Sequence, residues 1–259
     1  MTIRLYNEHL TFSAVAHHKN ADADAIYSAY LIARTHNLPI IRTTYTPLAR
    51  YIQSIFPIAP EYVDRADKVL LVDENREENI PVLPSEVVGI IDHHRTGKHS
   101  IHPSFSLVYP QTPTTATLLK MLGYDVMMCP MCYALALADD TAFMHIYPKE
   151  KEVYQLWQFE WENVLKQVSF DELVDIYDAH VYYDVRVYRG YRIGQIRTYT
   201  AKNVDNLIDK EPDILIHSVI ENDTTTIYAF NPLFKSIAKK HDILLSRKRH
   251  VYPMIEELI

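Results

Sequence analysis

Glycine is scarce in this chain, only five in 259 residues, and no loop of the form GxxxxGK[ST] occurs. Any phosphate bound here must therefore be held by metals and basic side chains. Cysteine is scarcer still. Cys129 and Cys132 form one CxxC within "MMCPMCYALALADD", half of a tetrahedral zinc site at most, and no second pair completes it. The pair reads as two small apolar residues near the start of a buried helix, with a redox dithiol as the alternative. No apolar run approaches the roughly 18 residues needed to span a bilayer, so no membrane partner is expected. The N-terminus, MTIRLYNEHL, lacks the basic-then-apolar layout of a secretory signal, and a cytoplasmic location is expected. Net positive charge is missing too: at −7, nonspecific binding to nucleic acid is not expected from global electrostatics.

What is present is an ordinary globular composition in a chain longer than one usual domain, so two domains of unequal size are expected. Runs rich in β-branched residues, "FSAVAH", "PIIRTTY", "KVLLVD", "EVVGIID" and "FSLVYP", alternate with amphipathic stretches, "DAIYSAYLIARTHN", "LARYIQSIF" and "TTATLLKMLGY". That alternation predicts an α/β domain over 1–150, a parallel sheet with helices on both faces. The charged stretch "YPKEKEVYQLWQFEWENVLKQ" reads as a helix, and a linker or hinge is placed at 151–168. A smaller α+β domain is expected over 169–259. Its hairpin should turn near Arg189 and Gly190, with further strands in "DILIHSVIEN", "TTTIYAFN" and "DILLSR".

Three of the apolar runs end in groups that resist burial. The first delivers His17, His18, Asp22 and Asp24, the second Asp73, the third Asp92, His93 and His94. A fourth segment, "ALALADDTAF", is apolar on its approach to Asp139 and Asp140. In an open parallel sheet the carboxyl ends of neighbouring strands meet at one crevice. Carboxylates drawn together there repel one another and lose hydration, which divalent cations would relieve. The mixed Asp and His set, without thiolate, suits Mn2+, Mg2+ or Co2+ better than a closed zinc site. A lone DxD is usually a solvated turn or a helix cap. Four such endings in one domain are much harder to reach by accident.

The order of these motifs resembles the DHH phosphoesterase superfamily: "HKNADAD" (18–24), "LLVDEN" (70–75), "IIDHH" (90–94) and "ADDTAF" (138–143). "TPTTATLL" (112–119) is similar to the Ser/Thr-rich helix start that such chains carry between their third and fourth motifs. "SRKRHVYP" (246–253) and "YRGYRIGQIRT" (188–198) resemble segments of family II inorganic pyrophosphatases, and the GGGH signature of the nucleotide-degrading branch is absent.

The resemblance implies two Mn2+ ions per site, with Co2+ or Mg2+ as alternatives. His18, Asp22 and Asp73 would hold one ion; Asp24, Asp73, His93 and Asp140 the other, so that Asp73 bridges. His94 would face the substrate and Asp92 would support it from behind, while His17 and Asp139 fall outside the motifs. Arg247 and Lys248 would cover phosphoryl oxygens from the smaller domain, the domains closing over substrate. The implied reaction is hydrolysis of diphosphate to two orthophosphates by a hydroxide activated between two metals. An exopolyphosphatase or short-chain polyphosphate hydrolase is the nearest alternative. A catalytically idle metal- or phosphate-binding regulator is the alternative of another class. A homodimer is compatible with either.

Three positions depart from the family pattern. Ala21 stands where proline is usual, and Glu74 where a histidine is. The substrate-binding lysine expected early in the second domain falls on His180, leaving Arg186 or Arg192 as substitutes for the missing cation.

Overall fold

The β-branched runs of the N-terminal half become strands whose order in the sheet brings their acidic ends together. The computed structural model describes residues 2–5, 8–95, 101–144, 151–180, 183–201 and 212–259. A short antiparallel hairpin, β1 (Thr2–Leu5) and β2 (Glu8–Thr11), comes first. The main sheet follows: β3 (Ala14–Ala16), β4 (Ile40–Ile41), β5 (Tyr62–Val63), β6 (Val69–Val72), β7 (Val87–Asp92) and β8 (Phe105–Val108). Its order is β5-β4-β3-β6-β7-β8 and every pairing is parallel. The chain therefore leaves β3 in one direction and returns on its other side at β6. That reversal opens a crevice at the carboxyl ends of β3 and β6, where ligands bind in sheets of this kind.

β3 and β6 are buried along their whole length, as parallel strands covered on both faces require. Helix α1 (Ala23–His36) starts at Asp22, whose carboxylate accepts the Ala25 N–H, and ends at Asn37 in the left-handed conformation. It carries Tyr27, Tyr30 and Ile26 into the interior. Helix α2 (Pro47–Ile55) has Pro at its first turn and Thr46 as cap. Helix α3 (Thr115–Met121) is capped by Thr114, and α4 (Pro130–Thr141) begins at Cys129. Cys129 and Cys132 are both buried at that helix start. The fourth acidic segment is thus the last turn of a helix, so Asp140 reaches the crevice from a different kind of element than the strand-borne carboxylates.

The residues expected as a hinge form helix α5 (Lys151–Val164), which buries Trp157 and Val164. The chain divides into two compact units at Leu173/Val174, within α6 (Phe170–Ala179). The second unit holds a mixed five-stranded sheet: β9 (Tyr183–Tyr188), β10 (Tyr191–Thr198), β11 (Ile214–Val219), β12 (Thr224–Ala229) and β13 (Lys240–His241). β10 and β11 run parallel and the other neighbours antiparallel, in the order β13-β12-β11-β10-β9. The hairpin turns on Arg189 and Gly190, both at positive φ. Its core joins Ile193, Ile214, Ile216 and Ile227 to Phe234, Leu245, Val251 and Ile255, the last on helix α7 (Tyr252–Glu256). "DILLSR" is not a strand. Leu245 is buried in that core and its N–H is taken by Thr225 Oγ1, a side chain, which leaves no ladder to join. Among the described residues no helix is long and apolar enough to cross a membrane.

Candidate metal centre

The ends of β3, β6 and β7 place His18, Asp73 and His93 around one crevice, and the start of α1 adds Asp22 and Asp24. His18 Nε2 lies 3.6 Å from Asp22 Oδ2 and 3.8 Å from Asp73 Oδ2. His93 Nε2 lies 3.6 Å from the other oxygen of Asp73, 3.2 Å from Asp140 Oδ2 and 3.9 Å from Asp24 Oδ2. Asp73 therefore turns one oxygen to each histidine. Atoms coordinating one ion at about 2.0–2.2 Å sit roughly 3–3.5 Å apart, and most of these separations are near that range.

The two histidines are set up alike. His18 Nδ1 is 2.8 Å from the Lys19 carbonyl and His93 Nδ1 is 3.2 Å from the Thr112 carbonyl. A carbonyl oxygen only accepts, so each Nδ1 carries the hydrogen, and in the neutral ring each Nε2 has a lone pair to offer a cation. That tautomer is the one a metal ligand needs. His93 Nε2 is buried and has no hydrogen-bond partner among the described residues. A lone pair left without a donor, facing three carboxylates, fits a cation. In each of two triads, His18–Asp22–Asp73 and Asp73–His93–His94, ligating atoms lie within 4.8 Å of one another. The second differs from the expected set by including His94. Its Nδ1, however, is committed to Asp92 Oδ1 at 2.9 Å.

Asp24 is fully buried and anchors α3 from 91 residues away. Its oxygens accept the Thr115 N–H at 2.6 Å, the Ala116 N–H at 3.0 Å and the Ser28 hydroxyl at 3.2 Å. A carboxylate at a helix start is favoured by the free N–H groups there. Thr115 then donates its hydroxyl to Asp73 Oδ1 at 2.8 Å. Asp73 itself has φ 58, an uncommon conformation for a residue with a side chain, and its N–H is tied to the Ile91 carbonyl at 3.0 Å.

Burial and its carboxylate neighbours push Asp73 well above the ordinary carboxyl range, and burial lifts Asp24 to about 6. Burial alone would lower His18, but its bond to Asp22 raises it to about 9; Asp92 does the same for His94, also to about 9. His93 is held below its usual value by burial. Protons thus occupy sites that cations would take. Between about pH 6.5 and 9 the metal-free fold keeps protons on His18 and His94 that the unfolded chain has released, so its stability falls as pH rises. His17 and His93, held neutral by burial, oppose this only below about 6.5. Mn2+ at 100 times its dissociation constant should stabilise the fold by about 2.7 kcal/mol. That raises Tm by roughly 5–10 °C. Calorimetric scans should show the rise growing from pH 7 to 9; a Tm indifferent to Mn2+ throughout would argue against a metal centre.

Several supporting residues were not foreseen. Asn75 donates its amide to Asp92 and to the His94 carbonyl, the latter at 3.3 Å, and so fixes the Asp92–His94 pair. Asp139 accepts the Ala23 N–H at 3.3 Å, at the start of α1. Glu74, noted as a departure, is buried and organises its loop: it accepts from the Asn75 and Arg76 N–H groups, the Arg76 guanidinium at 3.0 Å and the Asn79 amide at 2.6 Å. Its added charge is met by Arg76. His17 points away, with Nδ1 on the His18 carbonyl at 3.0 Å, and burial lowers it to about 4.

In the second unit, Arg247 donates Nη2 to Asp184 Oδ2 at 2.6 Å. The Lys248 side chain lies outside the described residues. His180 ends α6 with Nδ1 on the Ile176 carbonyl at 2.8 Å, folded back on its own helix.

The model of the DHH family, N-terminal domain, matches residues 13–150. No curated protein matches the sequence. Among solved structures, a Methanococcus jannaschii candidate family II inorganic pyrophosphatase is similar at 16% identity and TM-score 0.59, over 95% of this chain and 98% of that one. An exopolyphosphatase-related protein from Bacteroides fragilis is similar at 14% identity and TM-score 0.49, over 95% of this chain and 91% of that one.

Proposed function

Because this chain belongs to the DHH family, we propose that it is a metal-dependent hydrolase of phosphoric anhydrides, and that inorganic diphosphate is its substrate. The observation that carries the reading is Asp73, which offers one oxygen to the His18 side and the other to the His93 side. His18, Asp22 and Asp73 would hold one divalent ion, and Asp24, Asp73, His93 and Asp140 a second. Bound there, the pair would supply a water of lowered pKa and neutralise phosphoryl charge.

The chain's own groups do the rest. Thr115 and the Ile91 carbonyl hold Asp73 in one orientation. Asn75 and Asp92 aim the His94 ring, and the Asp92 carboxylate keeps that ring protonated at neutral pH. A half-exposed imidazolium of this kind can neutralise a phosphoryl oxygen and hold a proton for the leaving group. Arg247 and Lys248 contribute cations to the same end, arginine by a bidentate fork and lysine as a point charge.

Phosphate release from diphosphate, triphosphate and long polyphosphate, each in Mn2+, Co2+ and Mg2+, tests the reading. Diphosphate should be cleaved fastest, and best in Mn2+. Turnover confined to long chains would transfer the assignment to an exopolyphosphatase. No release from any of them would overturn it.

A further inference from the structure

Strand parity in the second unit collects cations that the family motifs do not mark. Asp184 of β9 stands opposite Gln195 of β10, and alternation puts Arg186, Gln195 and Arg197 on one face with Ile193. Ser218 stands opposite Arg197, and Thr225 opposite Ser218. The Leu245 N–H donates to Thr225 Oγ1 at 2.9 Å, so the chain crosses this face as it enters the helical stretch that starts at Arg247. Arg247 follows and reaches Asp184 on the same face. Arg192, a foreseen substitute cation, falls by parity on the opposite face.

Two N–H groups here are buried without an acceptor among the described residues: Arg197 Nε and Arg247 Nη1. A buried donor left unpaired is costly, and more so when charged. Asp184 is already engaged, one of its oxygens accepting from Arg247 at 2.6 Å and from Arg186 at 3.1 Å. Two guanidinium groups thus share Asp184, while a third, Arg197, lies on the same face. The unmet donors and the excess charge call for an anion with several oxygens, which guanidinium groups recognise well.

We propose that Arg197 acts with Arg247 as a receptor for a tetrahedral phosphoryl group, supplying the cation that the motif comparison sought at His180. The identity of the anion rests on the anhydride-hydrolase reading; the receptor itself does not. Titration calorimetry of orthophosphate into the full chain, with chelator present to keep metals out, reads the receptor alone. Arg197→Ala should weaken phosphate binding at least tenfold, and Arg197→Lys should lose less than Arg197→Gln, which keeps a donor without the charge. In the Mn2+ form the alanine variant should raise KM for diphosphate by a similar factor. Should alanine prevent folding, the lysine and glutamine variants decide, and equal affinity in those two overturns the proposal. So does undiminished binding by a folded alanine variant, or no binding by the unaltered chain. If phosphate binding depends on Arg197 while no anhydride is cleaved, the receptor stands and the hydrolase reading falls. If diphosphate is cleaved with KM and affinity untouched by the substitution, the reverse holds.

Discussion

Asp73→Ala should abolish diphosphate hydrolysis, by at least about a thousandfold or about 4 kcal/mol in the barrier, and should erase the Mn2+-dependent rise in Tm with it. Among the described residues Asp73 is the one carboxylate within 4 Å of both His18 and His93, so its loss strips a ligand from each side. The metal-free protein should respond differently. There Asp73 is a buried group surrounded by Asp22, Asp24, Asp92 and Asp140, which resist its ionisation. Removing it removes the cost of holding a carboxyl group unionised there, so the Tm without metal should hold or rise, offset in part by the acceptor lost to the Thr115 hydroxyl. Asp73→Asn keeps a group for Thr115 and removes the charge, and should match alanine in activity. A residue needed only for the fold would show the opposite pattern: a lower metal-free Tm with the Mn2+ increment intact. That outcome would remove Asp73 from the centre.

Much of this centre can be read from the chain because the relevant signal is local. An apolar run that stops abruptly at "HHKNADAD" contains a strand end, a loop and a helix cap within twelve residues, and each obeys a short-range rule. "LLVDEN" and "IIDHH" work the same way. What resists reading is whatever depends on long-range pairing. β4 and β5 have two residues each, too few to announce their place in the sheet. Asp24 anchors Thr115 and Ala116 across 91 and 92 positions, and no periodicity reports such a bond. "ALALADD" is apolar enough to pass for a strand approach, yet Pro130 and the run of alanine and leucine favour the helix that forms. Arg197 alternates with apolar residues as a solvent-facing strand residue would. Only the register of β10 with β9, taken with the Arg247–Asp184 bond, puts it on a face with Arg247. "DILLSR" shows the converse error, since apolar residues in a row need not form a strand: Leu245 enters the core while Ile243 is exposed.

Arg247→Ala should lower turnover on diphosphate by about a hundredfold or more while leaving the Mn2+ increment in Tm unchanged. The side chain is 11% exposed and is held by Asp184, so its position is prepared before any anion arrives. Preparation of this kind spares the substrate the cost of ordering a long flexible side chain. Asp184 in turn is kept below the usual carboxylate range by Arg247, against the effect of burial, and will rise towards normal in the variant. Arg186 remains beside it at 3.1 Å, so the fold should lose little. Arg247→Lys preserves charge but not the fork, and should fall between alanine and the unaltered chain, with more of its loss in kcat than in KM if the second N–H matters only as charge develops on the leaving phosphate. Asp184→Asn supplies the complementary test. It removes the anchor but not the cation, so activity should drop by less than in Arg247→Ala, and the arginine should still be needed in the double variant. Turnover unchanged by Arg247→Ala would mean that the cations serving the leaving phosphate lie elsewhere in the chain.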